Sequence, residues 1–423
     1  MTSLSLLLWI VLGIALQVAL WLGIGFWRHW LEYQALRGGA PAQAEAAPAV
    51  AAPAEAREPA NVAAWTGFRP FRVERKTVED AAQSICSFYL VPTDGQPLPS
   101  FLPGQFLTFR LDVPTAAGSG EQIVRCYSLS AAPRPDHYRV SIKRVPAPAG
   151  GELPPGRSSN HFHDHVAVGD ILQVRAPGGH FHIDRGDAPV VLIGGGIGIT
   201  PMLSMLHWCL AEQPGREVWL FYGVRNGREP IMKADLEALA AAHPNFRLRF
   251  CFSDPLPEDR LGQDYQHHGR VDVALLRTQL PLRPYHFYIC GPTPMMESLV
   301  AALEDWGVPE ARIHFEAFGP ASIKRKPATA PVEALAPASD IMVTFAKSGK
   351  QLAWQPASGS LLEFAEANGV KVDSGCRAGG CGSCQTTIQA GEVSYRQAPD
   401  YDPEPGSCLL CCCSPKTSVT LEA

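Results

Sequence analysis

The 423-residue sequence predicts a multidomain chain: an apolar N-terminal helix, an antiparallel β-barrel, an α/β parallel-sheet domain and a small C-terminal α+β domain. Three observations carry this. Leu4 to Trp27 contains no charged side chain. Short β-type runs broken by Pro and Gly fill residues 65–185, and beyond them apolar runs alternate with helical patterns. Seven of the twelve Cys fall in the last 48 residues, from Cys376 to Cys413. Hydrophobic residues at 46% and charged residues at 18% leave ample core material and exclude a disordered or collagen-like chain. The 36 basic and 41 acidic residues give a formal charge of −5 with no basic block, so a nucleic-acid partner has no support. A secreted disulfide scaffold would spread its cysteines, whereas crowding points to a metal site in a reducing compartment. No internal repeat is visible.

As a helix, residues 4–27 would be about 36 Å long, enough to cross a hydrocarbon core of about 30 Å. A cleaved leader usually has a basic segment before a shorter apolar stretch, and here nothing charged precedes the span except the amino terminus. Trp21, Trp27 and Trp30 gather at one end, and Arg28, His29 and Arg37 follow. The expectation is a single-pass membrane anchor with the catalytic domains on the cytoplasmic side. Residues 38–64 read as a linker, since positions 40–60 hold eleven Ala and four Pro. A second Ala/Pro-rich linker is expected at 321–338.

Within 65–185 the runs Phe106–Leu111, Tyr138–Lys143 and Asp170–Val174 have the spacing of a small antiparallel barrel. Arg125-Cys126-Tyr127-Ser128 ends one strand; simple alternation puts Arg125 and Tyr127 on one face and Ser128 on the other unless the chain turns. Gly156-Arg157-Ser158-Ser159-Asn160 reads as a loop entering a short helix, whose first N–H groups suit a pyrophosphate. His161 and His165 stand at i, i+4, the spacing of a helical ligand pair, although their place beside a phosphate segment favours ordinary histidines.

In 186–320, Val190–Ile193 is the apolar run of a buried parallel strand. Gly194-Gly195-Gly196-Ile197-Gly198-Ile199-Thr200-Pro201 follows, and then an apolar helix. Glycines let backbone approach a diphosphate, Thr200 suits an N-cap and Pro201 the first helical position. Pro201 stands where a Gly-x-Gly-x-x-Gly pattern would have its third Gly. Further strands are expected at Val218–Tyr222, Phe246–Phe250 and His286–Ile289, the last running into Cys290-Gly291-Pro292. Ligands of such a sheet lie at the carboxyl ends of its strands.

Residues 339–423 open with a hairpin, Ile341–Phe345 and Gln351–Trp354, then a helix capped by Ser360 and ended by Gly369. Cys376-x4-Cys381-x2-Cys384 is the plant-type [2Fe–2S] spacing, three thiolates on one glycine-rich loop that need a fourth Cys later. Cys408, Cys411, Cys412 and Cys413 are the candidates.

Arg-x-Tyr-Ser, Gly-x-x-Ser-Asn, Ala176-Pro177-x-Gly179-x-Phe181, Gly-Gly-x-Gly-x-Thr-Pro and Cys-Gly-Pro, in this order, resemble the ferredoxin-NADP reductase superfamily. With a C-terminal ferredoxin domain the order also resembles oxygenase reductase components, phenylacetyl-CoA epoxidase reductase and hybrid-cluster-protein reductase. The resemblance implies a flavin β-barrel, a nicotinamide-binding sheet and a β-grasp ferredoxin domain. It implies that Tyr127 and Ser128 contact the isoalloxazine and that Arg125 and Ser159 bind cofactor phosphates. Gly194, Gly195, Gly196, Gly198 and Thr200 would hold the nicotinamide cofactor, with Cys290, Gly291 and Pro292 beside its reactive ring. Ser128, Cys290 and Glu316 are the implied catalytic positions, and Leu-x-Cys in related domains makes Cys411 the fourth cluster ligand. The flavin is usually FAD, with FMN open. Arg225 and Arg228 are candidates to grip a 2′-phosphate, but exposed arginines are common, so NADH and NADPH both stay open with a slight lean to NADH. The implied function is electron transfer from NAD(P)H through flavin and [2Fe–2S] to a membrane-associated oxygenase, desaturase or hydroxylase. Reduction of quinone or another small acceptor, or a tethered redox sensor, is the alternative.

Overall fold

The computed structural model describes Gln17 and residues 65, 67–114, 120–147, 154–318, 341–355, 358–375, 377, 379–395, 399 and 401–423. Contacts divide the chain into Met1–Ala60 and Asn61–Ala423, and the three domains all lie in the second unit. Both expected linkers and nearly all of the expected 4–27 helix fall outside the described residues.

The first domain is built from β1 (Arg69–Val78), β2 (Ile85–Pro92), β3 (Phe106–Pro114), β4 (Gly120–Ser128), β5 (Tyr138–Lys143), α1 (Arg157–His165) and β6 (Ile171–Gly178). The strands run β4-β3-β6-β1-β2-β5, and every neighbouring pair is antiparallel. An antiparallel bridge from Leu129, just past β4, to Val140 in β5 closes the sheet into a barrel. Closure leaves no open edge to be satisfied. Phe71, Phe88, Phe109, Val140 and Val174 fill the interior, and Phe162 on α1 plugs one end.

The second domain alternates β7 (Val190–Gly195), a 3₁₀ turn (Gly196–Gly198), α2 (Ile199–Glu212), β8 (Val218–Val224), α3 (Lys233–Ala242), β9 (Phe246–Phe252), β10 (His267–His268), α4 (Val273–Gln279), β11 (His286–Gly291), α5 (Thr293–Asp305) and β12 (Ile313–Ala317). Its sheet order is β10-β9-β8-β7-β11-β12, parallel throughout. Helices cover both faces, so β7 is buried at every position, as its unbroken apolar run requires. Thr200 is not the N-cap. The 3₁₀ turn runs straight into α2 and moves its start to Ile199, so the Thr200 hydroxyl donates back to Ile197 O at 3.0 Å.

The third domain holds β13 (Met342–Phe345), β14 (Lys350–Ala353), α6 (Leu361–Ala367), β15 (Gln385–Ala390), β16 (Val393–Tyr395), β17 (Ser407–Leu409), β18 (Cys413–Pro415) and β19 (Val419–Leu421). The main sheet runs β14-β13-β19-β15-β17, with β13 parallel to β19, and α6 packs on it. Ser360 caps α6 in a capping box with Glu363, as its sequence position predicts.

The membrane reading is corrected. Among the described residues no helix is long and apolar enough to cross a membrane. With 14 residues, α2 is the longest of the helices described above and rises about 21 Å, short of the roughly 30 Å of hydrocarbon. The single-pass anchor and the cytoplasmic placement derived from it are withdrawn on that finding.

Candidate functional site

A cavity of about 580 Å³ opens between the barrel and the parallel sheet. Its walls are the end of β4 from Arg125 to Ser128, Ser141 and Lys143 of β5, the start of α1 from Gly156 to Ser159, Ile197 and Thr200, and Glu316 to Phe318 at the end of β12. Phe106, Val145 and, from the cysteine loop, Gly375 complete them. Arg125, Cys126, Tyr127 and Ser128 all face the cavity, where strict alternation predicts two faces. Ser128 is the last residue of β4 and pairs with Phe106, where β3 shifts register against β6. The chain turns there, and both sides of the strand reach one space.

The Tyr127 hydroxyl lies 2.8 Å from Ser158 Oγ, and its ring meets Phe109 and Phe162 edge-on. Burial pushes the phenol up to about 12, so it stays neutral. Gly156 precedes α1 without a side-chain cap, and a Cβ there would lie 2.6 Å from Ser159 Oγ. The first N–H groups of a helix lack intrahelical partners, so this start offers donors at the wall. Ser159 itself is engaged locally: its hydroxyl donates to Gly156 O and accepts from Val145 N, both at 3.3 Å. Lys143 and Ser158 are wall residues that the motifs do not single out; Ser158 only adjoins a motif serine, and Lys143 ends an ordinary strand.

Strand register assembles the opposite wall. Cys290 on β11 pairs with Gly194 on β7 and with Glu316 on β12, so three motifs far apart in sequence end side by side. The Ser128 hydroxyl donates to Glu316 Oε2 at 3.3 Å, joining barrel to sheet. Burial pushes the Glu316 carboxyl up to about 8, and the Ser128 bond only partly offsets this. Cys290 is fully buried, and burial followed by the nearby Glu316 charge raises its thiol well above the ordinary value. It is therefore a neutral thiol one strand in from the cavity. The glycines are needed for close packing: a Cβ on Gly198 would sit 2.2 Å from Cys290 O, and one on Gly195 2.7 Å from Met295 Sδ. Gly196 alone in this loop takes a left-handed φ, +53°, with no atom within 4 Å of the added Cβ. Gly194, Gly291 and Pro292 pack behind the wall and do not line it.

Arg225 pairs with Glu229, and Arg228 with Glu258 at 3.1 Å. The rings of His161 and His165 lie 5.4 Å apart and tilted, while His163 bonds Ile142 O at 2.9 Å. Among the described residues no group of three or more His, Cys, Asp or Glu is arranged to hold a metal ion.

Cys376 lies outside the described residues. Of the other loop thiols, Cys384 and Cys411 are hydrogen-bonded to one another. Bonds from Cys384, then Cys412, and the Gly379 N–H hold Cys411 below the ordinary thiol value, while Cys384 is raised. Cys381 Sγ accepts from the Ser383 N–H at 3.5 Å. Cys408 and Cys413 are buried against each other in the core, hydrogen-bonded as a separate pair.

Residues 71–183 match the family described as the oxidoreductase FAD-binding domain, 192–301 the oxidoreductase NAD-binding domain, and 344–416 the 2Fe-2S iron-sulfur cluster binding domain. The solved flavohem-like FAD/NAD-binding domain of nitric oxide dioxygenase from Vibrio cholerae O1 biovar El Tor is 34% identical. All of it is covered by 60% of this chain, with a TM-score of 0.52. The chain belongs to the FAD- and NAD-binding oxidoreductases. Its cofactors are FAD, NAD(P)H and a [2Fe–2S] cluster. The flavohemoprotein of Halalkalibacterium halodurans is 40% identical over 258 residues, 61% of each chain, so this chain spans about three fifths of that relative's length. An intact type IV self-sufficient cytochrome P450 monooxygenase, 24% identical, shares the fold over 84% of this chain and 41% of its own, with a TM-score of 0.53.

The residues present fit these groups. The cavity has cations at Arg125, Lys143 and Arg157 and a helix start for a diphosphate, and the apolar edge of Tyr127 for a ring system. In the loop, a Cβ on Gly375 would stand 2.7 Å from Cys381 Sγ, so glycine leaves the thiol room against the cavity wall. Cys381, Cys384 and Cys411 are thiol side chains, the donor type that a [2Fe–2S] cluster takes.

Proposed function

We propose an electron-transfer reductase that draws on NAD(P)H and supplies single electrons to a separate acceptor protein, an oxygenase, desaturase or hydroxylase. The observation that carries the proposal is the shared cavity: Ser128 of the barrel, Thr200 and Glu316 of the second domain, and cluster-loop residue Gly375 line one space. When bound there, FAD accepts a hydride from the nicotinamide, and the [2Fe–2S] cluster carries electrons one at a time. The modules divide as 65–185, 186–320 and 339–423, and Cys376, Cys381, Cys384 and Cys411 hold the cluster.

The protein's own contribution follows from the geometry. Arg125, Lys143 and the α1 start neutralise phosphate charge. Tyr127, fixed by Ser158 and neutral at all physiological pH, borders the ring system. Glu316 keeps its proton through neutral pH, so no carboxylate charge opposes the arrival of negative charge beside Ser128. Neutral Cys290 and its glycine neighbours bring the nicotinamide close without a nucleophile in reach. The Arg225–Glu229 and Arg228–Glu258 pairs already occupy the two guanidinium groups a 2′-phosphate would need, which supports NADH as the donor.

The test is anaerobic mixing of the full chain with NADH or NADPH. Flavin bleaching followed by a reduced-cluster EPR signal, faster with NADH, is expected. A bleached flavin with a cluster that stays oxidised would refute the reading.

A further inference from the structure

Arg175 on β6 makes contacts that neither the flavin cavity nor the barrel requires. Its Nη1 donates to Cys381 O at 2.6 Å, across 206 residues of chain. Its guanidinium carbon lies 4.7 Å from the ring centroids of both Phe68, in the barrel domain, and Tyr401, in the cluster domain. Tyr401 in turn donates its N–H to Gly379 O at 3.0 Å, so the stack ends on the cysteine loop itself. The loop passes very near: a Cβ on Gly382 would be 2.6 Å from the Tyr401 ring and 2.8 Å from Arg175 Nη1. Arg175 Nε is buried without a hydrogen-bond partner, a cost that an apolar packing residue would avoid. Cys381 Sγ, meanwhile, sits just behind Gly375, which lines the flavin cavity.

We propose that Arg175 is a positioning residue that clamps the cluster loop against the flavin cavity and makes Cys381 the cavity-facing thiolate of the cluster. The proposal rests on the reductase reading above. The step it serves moves one electron, lost by the reduced flavin and gained by the oxidised cluster, with no bond made or broken. A planar guanidinium is suited to this place because it stacks between two rings and donates in its plane at once; an ammonium does only the second. Its fixed positive charge beside a cluster ligand also favours the reduced, more negative cluster.

The experiment uses the full chain with both cofactors bound, as the parent, Arg175→Gln, Arg175→Lys and Tyr401→Leu. Each is mixed anaerobically with NADH, and cluster reduction is followed by EPR relative to flavin bleaching in the same sample. The cluster midpoint potential is measured separately by dye titration. Losing a charge-assisted hydrogen bond shifts a docking equilibrium about tenfold or more, so cluster reduction in Arg175→Gln should slow by about that factor relative to flavin bleaching. Its midpoint potential should fall. Arg175→Lys should restore the potential but not the full rate. Tyr401→Leu, which keeps the charge and removes only the ring, should slow cluster reduction with the potential unmoved, and this keeps the proposal testable if Arg175→Gln does not fold. An unchanged rate ratio and potential in Arg175→Gln would overturn the clamp. So would an equal loss of flavin bleaching and cluster reduction, which is what general unfolding predicts. A parent chain whose cluster NADH does not reduce would instead overturn the reductase reading, before any variant is made.

Discussion

Replacing Glu316 by Gln removes a titrating carboxyl from the cavity wall while keeping its shape and its ability to accept from Ser128. With the carboxyl pushed up to about 8, roughly one molecule in ten is ionised at pH 7 and about nine in ten at pH 9. Flavin reduction by NADH in the parent should therefore slow as pH rises through about 8, because a carboxylate then faces the developing negative charge. Glu316→Gln should hold the neutral-pH rate across the same range. The sign for stability is the reverse of the usual carboxylate case. The folded value lies above the ordinary 4.5, so the unfolded chain releases its proton first and stability falls as pH rises from 4.5 to 8. That interval corresponds to at most about 5 kcal/mol, less for a half-buried group that water partly reaches. The assay is stopped-flow bleaching of the flavin from pH 6 to 9.5, alongside urea unfolding at pH 5 and 8. A transition near pH 8 that persists in Glu316→Gln would refute the assignment, as would a parent rate that stays flat.

Gly198→Ala drives a Cβ into the Cys290 carbonyl, 2.2 Å away, and the backbone shift should cost about 1–3 kcal/mol and weaken NADH binding, measured by flavin-reduction KM. Cys381→Ser, Cys384→Ser and Cys411→Ser should each abolish the [2Fe–2S] EPR signal while Cys412→Ser retains it; a surviving signal in Cys411→Ser would move the fourth ligand to a neighbour. Tyr127→Phe removes the 2.8 Å bond to Ser158 and should cost about 1 kcal/mol, read as faster loss of FAD on gel filtration. Ser360→Ala breaks the α6 capping box and should lower stability by about 1 kcal/mol without moving the cluster spectrum.

Where the relevant physics is local, the sequence was a sufficient guide. Tyr138–Lys143 is a strand with the expected limits, and Ser360 caps α6 as expected. Both are decided by side chains within a few residues. Thr200 was misplaced because the Gly196–Gly198 3₁₀ turn, which runs into the helix without a break, set the start of α2 rather than the best capping residue.

The kinds of group the site contains were determined by the sequence alone, since Cys-x4-Cys-x2-Cys, the glycine loop and Arg-x-Tyr-Ser each keep their donors and turns within one short segment. Which groups meet was decided only by the tertiary structure. Ser128 reaches Glu316 across 188 residues and Arg175 reaches Cys381 across 206. Such pairs depend on strand register and domain packing, which sum many weak contacts from the whole chain, so no local pattern around Arg175 marks it. The raised Glu316 carboxyl has the same origin: a glutamate's charge is intrinsic, but the water it loses is set by the strands and loops that close over it.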